Sequence, residues 1–597
     1  MSDEKGEAVD DAVVFKIDGE DVRGKPGQTV LEAGLDNGVF VPHYCWHPAL
    51  SIAGNCRMCL VHMKGAPKPV IACQTQIREG MEIEAYTEPA KDTREGVMEF
   101  LLANHPLDCP VCDQAGECDL QEYSFMHGRG ESRFNEHKTQ RPNKDFGELV
   151  RFNGNRCIVC TRCVRFTEEI SGTDELMTVN RGDRNHIDIF PGIPLDNPMS
   201  LCTTDLCPVG ALLDRDFIHK SRVWNLTTTK STCAGCATGC NMNVQTWNDR
   251  VQRLVPRENQ CVNRWWMCDE GRLLYHETES DDRRTAITQL ADKGDARETV
   301  SFEAAMTLLS ENWRGAKNSG GKDDAAGAIG VIATGWHTNE ELYTILSLLR
   351  GEKSPKLGAD DLPLAVCYEA DGDEWEAKDG FRIEADKNPN RAGVKAIFGK
   401  AFGEGRAPGL EALQKRMEKG ELKLLVVLDG LHRTGIELGE GFLKALKKVP
   451  YVVSFDVRED GPLADRAHLC LPAATWLEKD GTFVNVSGRV QRVRPGVPPR
   501  GATRWDAEVL QELTRRLGIS ARALSAASVF RRLSEAGGEN PFKGLGYNDL
   551  GETGKMLGGA ADETEPRTAY GAGPVSRVRY EDRSVAEMIR VSVHRGG

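Results

Sequence analysis

A basic excess, long apolar runs and phosphate-cradling glycine loops are all missing from this 597-residue chain. Its 90 Asp and Glu residues outnumber its 76 Lys and Arg residues, for a formal charge of −14. That balance argues against nucleic-acid binding, which normally needs a basic footprint. No stretch reaches the roughly 18 apolar residues of a membrane span, so direct membrane insertion is not expected. There is no G-x-G-x-x-G fingerprint and no G-x-x-x-x-G-K-[ST] loop. GEGRAPG, Gly403 to Gly409, comes nearest, with the wrong spacing and no clear preceding strand. The chain is not expected to bind a dinucleotide itself. Its opening, MSDEKGEAVDDA, is acidic and polar, unlike a secretory signal or an Arg-rich transit peptide, and residues 1–11 read as a disordered tail.

Cysteine is almost absent from the C-terminal part. Only Cys367 and Cys470 follow Cys268, whereas seventeen of the nineteen cysteines lie in the first 268 residues. A long chain with clustered cysteines suits a reducing compartment, where such clusters hold metals or do redox chemistry more often than they form disulfides. Four sets stand out.

The first set is Cys45-x10-Cys56-x2-Cys59-x13-Cys73. A CxxC flanked by two outlying cysteines suits a [2Fe–2S] rhomb, with structural zinc as the alternative. The second set, His105-x3-Cys109-x2-Cys112-x5-Cys118, is balanced between zinc, which takes three thiolates and an imidazole readily, and a [4Fe–4S] cluster with histidine at one corner. The third set breaks the tie. Cys157-x2-Cys160-x2-Cys163 with a remote Cys207-Pro208 matches a bacterial ferredoxin run, whereas zinc ribbons prefer two separated CxxC knuckles. The fourth set, Cys233-x2-Cys236-x3-Cys240-x27-Cys268, again suits a cubane, with four-thiolate zinc as the alternative. Cys202 and Cys261 are left over and read as packed or idle thiols. One two-iron and three four-iron clusters make a chain that moves electrons one at a time.

The segments around these sets have readable periodicity. VVFKIDGEDVR predicts two strands turning at Asp18–Gly19, and TVLEAGLDNG predicts a helix with a Thr29/Glu32 capping box. Together with the Cys-bearing loop they suggest a β-grasp domain over 12–90. TREGVMEFLLANHP predicts a helix that stops before Pro106 and delivers His105 at its exit. Residues 132–150 read as a polar connection. Further on, AIGVIATG, LLVVLDG and YVVSFDV alternate with helical stretches such as TNEELYTILSLLR and RWDAEVLQELTRRLG, which predicts an α/β domain with a largely parallel sheet. KNSGGKDDAAG (317–327) and GGAADETEPRTAYGAG read as loops. Asp429 is expected to end a strand, Trp265–Trp266 to shield a cluster, and Arg489, Arg492 and Arg494 to form a solvated basic strand edge.

The order of the sets, with NHPLDCPVCDQAGECDLQE, CIVCTRCVRF, DLCPVGALLDRDF and CAGCATGC…CDEGR, resembles the large iron–sulfur subunit of respiratory complex I, the G subunit of bacterial NADH:quinone oxidoreductase. The likeness spans about 12–275 and resumes in LPAATWLEKDGTFVNVSGRVQRVRPGV, residues 471–497. The resemblance implies a multidomain α+β and α/β chain. Its parts would be a β-grasp [2Fe–2S] ferredoxin-like domain over 12–90, a His-ligated [4Fe–4S] module over 91–131 and a [4Fe–4S] ferredoxin-like module over 145–225. A fourth cluster module over 228–285 would open a truncated molybdopterin-oxidoreductase-like α/β domain, which continues over 286–597.

By that resemblance, Cys45, Cys56, Cys59 and Cys73 hold the [2Fe–2S] cluster, and His105, Cys109, Cys112 and Cys118 the histidine-ligated [4Fe–4S] cluster. Cys157, Cys160, Cys163 and Cys207 hold the next relay cluster. Cys233, Cys236, Cys240 and Cys268 match an additional cluster carried by some members off the main path. No catalytic residue is implied and no molybdopterin is expected, since neither Cys367 nor Cys470 lies in a molybdenum-ligand motif and both read as core thiols. Implied partners are a flavin-bearing, NADH-binding subunit and the iron–sulfur subunits of the quinone module, with the chain a peripheral subunit on the cytoplasmic face of the bacterial inner membrane. The rival readings are a diaphorase-type subunit of an NAD-linked hydrogenase or formate dehydrogenase, and a scaffold with structural zinc.

Overall fold

The computed structural model describes residues 12–291, 296–319, 327–428, 433–436, 438–520 and 524–559. The tail 1–11, Asp429, most of the 317–327 loop and nearly all of the glycine-rich stretch near the end lie outside the described residues. Two compact units are present. One takes the chain up to Leu226 together with Ala377–Gly380, and the other takes the rest of the described chain.

In the first unit, β1 (Val13–Ile17) and β2 (Glu20–Gly24) form an antiparallel hairpin. Asp18 and Gly19 both turn through positive φ, 51° and 87°, as a two-residue hairpin loop requires. Helix α1 (Val30–Asp36) starts on the Thr29/Glu32 capping box, satisfying two otherwise orphaned N–H groups for about 1 kcal/mol. With β3 (Leu60–Met63), β4 (Val70–Ile71) and β5 (Glu82–Glu84) the sheet order is β2-β1-β5-β3-β4, and β1 and β5 run parallel. Phe15, Ile17, Leu31, Val61 and Ile83 form its core, and Cys59 and Cys73 are buried in that same cluster.

Helix α2 (Glu88–Asn104) begins with proline in its first turn and ends on His105, whose extended backbone (ψ 132°) leads into Pro106. Helix α3 (Asp119–His127) begins directly after Cys118. A three-stranded sheet follows in the order β10-β7-β6, where β6 is Asn143–Asp145, β7 Val150–Asn153 and β10 Leu212–Asp214. The stretch 132–150, expected as a connection, therefore supplies an edge strand. All three residues of β6 are exposed, so no apolar alternation marks it in the sequence. Between β7 and β10 come α4 (Arg162–Arg165), the hairpin β8 (Leu176–Val179) and β9 (His186–Ile189), and α5 (Cys202–Leu206).

The second unit opens with an antiparallel sheet of Thr227–Thr232, Asn241–Trp247 and Arg250–Pro256. Its main sheet has seven strands. Leu469–Pro472, Tyr451–Asp456, Leu424–Val427, Ile329–Thr334 and Leu364–Cys367 are parallel neighbours in that order, and Thr288–Leu290 and Arg297–Thr299 add an antiparallel edge. All but one of the residues on the five parallel strands are buried, as expected when helices cover both faces. Asn339–Arg350 starts on a Thr338/Glu341 capping box and is almost wholly buried.

The solvated basic edge does not form. Arg489–Val493 is the middle strand between Gly481–Val484 and Lys555–Met556, and Arg489 is buried. Its guanidinium donates to the Thr553 and Gly554 carbonyls. Arg492 faces Asp480 and lies 3.9 Å from the Tyr547 ring centroid, and Arg494 donates to the Lys230 and Gly551 carbonyls. Carbonyl acceptors from distant segments hold Arg489 and Arg494, and a carboxylate and an aromatic ring hold Arg492.

Candidate metal centres

The four ligand sets sit where irregular backbone meets regular elements. Cys45, Cys56 and Cys59 lie on the loop between α1 and β3, and Cys73 closely follows β4. Gly54 (φ 60°) and Arg57 (φ 61°) give this loop its left-handed bends. Cys45, Cys59 and Cys73 are buried and Cys56 half-buried. The close approach of the other thiols holds Cys45 below the usual thiol range and pushes Cys73 above it, so the four side chains of the set act on one another.

His105, Cys109, Cys112 and Cys118 line one cavity with Asp108 and Arg156. Burial, with help from Arg156 and Lys138, pulls His105 down to about 4, leaving a neutral imidazole with a lone pair to donate at pH 7. Arg156 pairs with Asp108 at 3.0 Å, and Arg222 holds the loop by donating to the Cys112 carbonyl at 2.6 Å. Burial pushes the Cys112 and Cys118 thiols upward. Gly210 closes the cavity, and a Cβ there would collide with Cys112 Sγ.

Cys157, Cys160, Cys163 and Cys207 also frame one cavity, walled by apolar side chains including Phe152, Ile187, Val209 and Leu212. Val159 (φ 51°) and Thr161 (φ 61°) kink the CIVCTRC loop, and the Val159 N–H donates to Cys157 Sγ at 3.3 Å. Burial pushes Cys157 up to about 12 and Cys160 up to about 11, so both are neutral thiols until a metal ion supplies compensating charge. A catalytic dithiol would need the opposite shift.

In the second unit Cys233, Cys236 and Cys240 occupy the loop between the first two strands, and Cys268 caps the helix Asp269–Leu273. All four are buried. Gly235 and Gly271 donate their N–H groups to Cys233 Sγ and Cys268 Sγ, each at 3.3 Å. A Cβ on Gly271 would lie 3.1 and 3.2 Å from those two sulfurs, so both flank one glycine. The Cys240 carbonyl accepts from the Cys233 N–H at 2.8 Å. Trp266 is buried and sits 6.1 Å from Trp265, centroid to centroid.

Donor chemistry, burial and the N–H groups aimed at sulfur all fit iron–sulfur clusters. None of the nineteen cysteines is in a disulfide. Cys202 is buried on α5 and Cys261 half-buried, while Cys367 and Cys470 are fully buried on the parallel sheet. A cluster that spacing did not flag is His337, Glu341 and Asp506, whose ligand-type atoms lie within 4.8 Å of one another. Lys479 Nζ already stands 3.4 Å from Glu341 Oε2 and supplies a cation there.

Two sequence-distant contacts tie the first three sets together. Arg165 donates to the carbonyls of both Cys45 and Cys160, and the Asp119 N–H beside Cys118 donates to the Pro208 carbonyl beside Cys207 at 3.0 Å. The third set is thus in backbone contact with both of the others.

Family models match in the same order. They are a 2Fe-2S iron-sulfur cluster binding domain (residues 10–88), the NADH-ubiquinone oxidoreductase-G iron-sulfur binding region (94–133) and the NADH-quinone oxidoreductase subunit 3 ferredoxin-like domain (147–213). A molybdopterin oxidoreductase Fe4S4 domain (226–280) and a molybdopterin oxidoreductase model (390–516) follow. The NADH-quinone oxidoreductase G subunit of Rickettsia felis is 30% identical over 85% of this chain and 88% of its own length. The chain belongs to the family of NADH-quinone oxidoreductase G subunits. Another G subunit, from Rickettsia bellii, is 43% identical over 44% of this chain and 39% of its own length. The NADH-ubiquinone oxidoreductase 75 kDa subunit of Reclinomonas americana is 39% identical over 51% of this chain and 43% of its own. A crystal structure of an NAD+-reducing [NiFe]-hydrogenase in the H2-reduced state matches at 29% identity, covering 35% of this chain and 91% of that one, with a TM-score of 0.33. So low a score carries no argument.

As a G subunit, the chain carries [2Fe–2S]- and [4Fe–4S]-binding domains and is an electron-relaying subunit of a hetero-oligomeric oxidoreductase. The molybdopterin-oxidoreductase match starts at residue 390, well upstream of the 471–497 stretch where the resemblance resumes. No helix among the described residues is long and apolar enough to cross a membrane.

Proposed function

We propose that the chain holds one [2Fe–2S] cluster on Cys45, Cys56, Cys59 and Cys73 and three [4Fe–4S] clusters. His105, Cys109, Cys112 and Cys118 carry one, Cys157, Cys160, Cys163 and Cys207 another, and Cys233, Cys236, Cys240 and Cys268 the third. Bound clusters supply one-electron chemistry. The chain's own residues hold them, exclude water and set their spacing. Electrons enter from a flavin-bearing, NADH-oxidising partner and leave toward the iron–sulfur subunits of the quinone module, with the Cys157 set between the Cys45 and His105 sets. The observation that carries this reading is the pair of contacts joining the backbone of the third set to that of both neighbours.

The 2Fe-2S domain model over 10–88 and the Fe4S4 domain model over 226–280 support the division of cluster types. The protein domains follow the boundaries 12–90, 91–131, 145–225, 228–285 and 286–597, with the last a degenerate domain that binds no molybdopterin. Phe100, Leu107, Val111 and Phe125, on or beside the His105 module, are large and exposed, and partner subunits would cover them. The chain works as a peripheral subunit on the cytoplasmic face of the inner membrane.

The test is iron, acid-labile sulfide, zinc and molybdenum content of the anaerobically purified chain, free of its partner subunits, with EPR of the reduced sample. About fourteen irons and as many sulfides per chain are expected. About ten irons would remove one cubane from the proposal. Substantial zinc with little iron would overturn the redox reading, and stoichiometric molybdenum would overturn the degenerate domain.

A further inference from the structure

Two arginines in CIVCTRCVRF have no part in ligating a metal, yet both are buried. Arg165, on α4, donates from Nη2 to the Cys45 carbonyl at 2.6 Å and to the Cys160 carbonyl at 3.3 Å. Its Nη1 donates to the Ser51 carbonyl and its Nε to Thr161 Oγ1 at 3.4 Å. One guanidinium nitrogen thus bridges the backbone of a first-set ligand and that of a third-set ligand. Arg162 repeats the pattern one residue further out. Its Nη2 donates to the Trp46 carbonyl at 2.6 Å and its Nη1 to the Leu206 carbonyl at 3.3 Å, next to Cys45 and Cys207 respectively.

The charges facing Arg165 are few. Glu169 lies within electrostatic reach and is held by the Ser51 N–H and hydroxyl. The sulfurs of Cys160 and Cys45 also lie within electrostatic reach of the guanidinium and would carry negative charge as cluster ligands, and Arg162 is the like charge beside it. His47 is buried beside both arginines. A guanidinium is the one side chain that can span two carbonyls with a rigid, permanently charged fork. In a water-poor site its charge favours whichever state of a neighbour is more negative.

We propose that Arg165 is a positioning residue shared by two redox sites: it fixes the Cys45 and Cys160 loops at one spacing and favours the reduced form of both clusters. The inference rests on the ligand sets proposed above. Its test is an EPR-monitored redox titration of the assembled complex carrying wild-type, Arg165→Met or Arg165→Lys chains. Arg165→Met should lower the midpoints of the two-iron cluster and of the Cys157-set cluster together. The expected size is on the order of tenfold in each reduction equilibrium, which is about 59 mV for one electron. The His105-set cluster should stay unmoved.

Arg165→Lys keeps the charge and loses the fork, so both midpoints should stay near wild type while the magnetic interaction between the two reduced clusters changes. Unmoved midpoints in Arg165→Met, or movement of one cluster only, would overturn the shared role. An unchanged interaction in Arg165→Lys would overturn the spacing role. Should Arg165→Met fail to assemble, Arg165→Gln, which is also uncharged, carries the midpoint test. Wild-type complex lacking the two-iron signal would instead overturn the ligand assignment beneath the proposal.

Discussion

Cys163 and Cys470 are both buried thiols, but they belong to regions built on opposite rules. Cys163 stands at the start of a short helix that follows a kinked loop, facing a cavity shared with three other thiols. Cys470 lies on a parallel strand, where Arg297 donates to its sulfur at 2.9 Å and the surrounding core is aliphatic. In the cysteine-rich unit, much of the chain is loop whose sulfurs converge on the proposed cluster sites. In the sheet unit, apart from the Cys233 set that opens it, stability comes from apolar strands, capped helices and buried ion pairs that involve none of those sulfurs. Metal binding and folding are expected to be coupled in the first region and independent in the second.

The sharpest way to break that contrast is to remove each thiol in turn. Cys163→Ser should cost the chain a whole cluster, about four irons of about fourteen, with loss of one EPR signal. Cys470→Ala should leave iron content untouched and lower stability by about 1 kcal/mol. Equal iron loss in both variants would end the comparison.

Next in size is the reverse experiment, a defect confined to the sheet unit. Arg283 and Glu478 form a fully buried pair at 2.7 Å, and Glu478 also accepts from the Thr475 N–H and hydroxyl. Arg283→Met leaves that carboxylate buried without its cation, a loss of roughly 3–5 kcal/mol. Thermal melts followed by circular dichroism should show it, with iron per folded chain unchanged.

A smaller effect is expected from Gly210→Ala in the cysteine-rich unit. The added methyl would press on Cys112 Sγ and on the Gln114 side chain, an overpacking cost of about 1–3 kcal/mol. Because Cys112 is the atom displaced, the EPR signal of the His105 set should weaken while the two-iron signal persists.

These variants also mark where sequence reading stops. Candidate ligands could be proposed because four metal-binding donors at short spacing have few other uses, and the two helix starts at Thr29 and Thr338 could be read because a capping box is a local signal. The parallel strands announced themselves as apolar runs. What stayed hidden depends on contacts between residues far apart. Arg165 and Cys45 are 120 residues apart, and Arg489 finds its carbonyl acceptors 64 and 65 residues away. The β6 strand has no buried residue, so its pairing leaves no trace in composition. Gly210 looks like an ordinary turn glycine until Cys112 is seen beside it. The third set's backbone contact with both of the others depends on the same long-range pairings, and no spacing rule contains it.

The smallest expected difference is in acid sensitivity. On α3, His127 lies 6.2 Å from the Tyr123 ring and is pulled down to about 4 by burial and by Arg94. An unfolded imidazole titrates near 6.5, so the unfolded chain takes up a proton first as pH falls. Stability contributed by the neutral folded form is complete above about 6.5 and is lost progressively toward 4. In the sheet unit His468 is also lowered by burial, with Arg297 adding to it, but it is only half-buried and its Nδ1 accepts the Val452 N–H at 3.0 Å. His127→Gln should therefore flatten the acid limb of the melting curve between pH 6.5 and 4, and His468→Gln should flatten it less. The reverse ranking would mean that proton uptake by the sheet unit, rather than by the cysteine-rich unit, sets the acid limit of the chain.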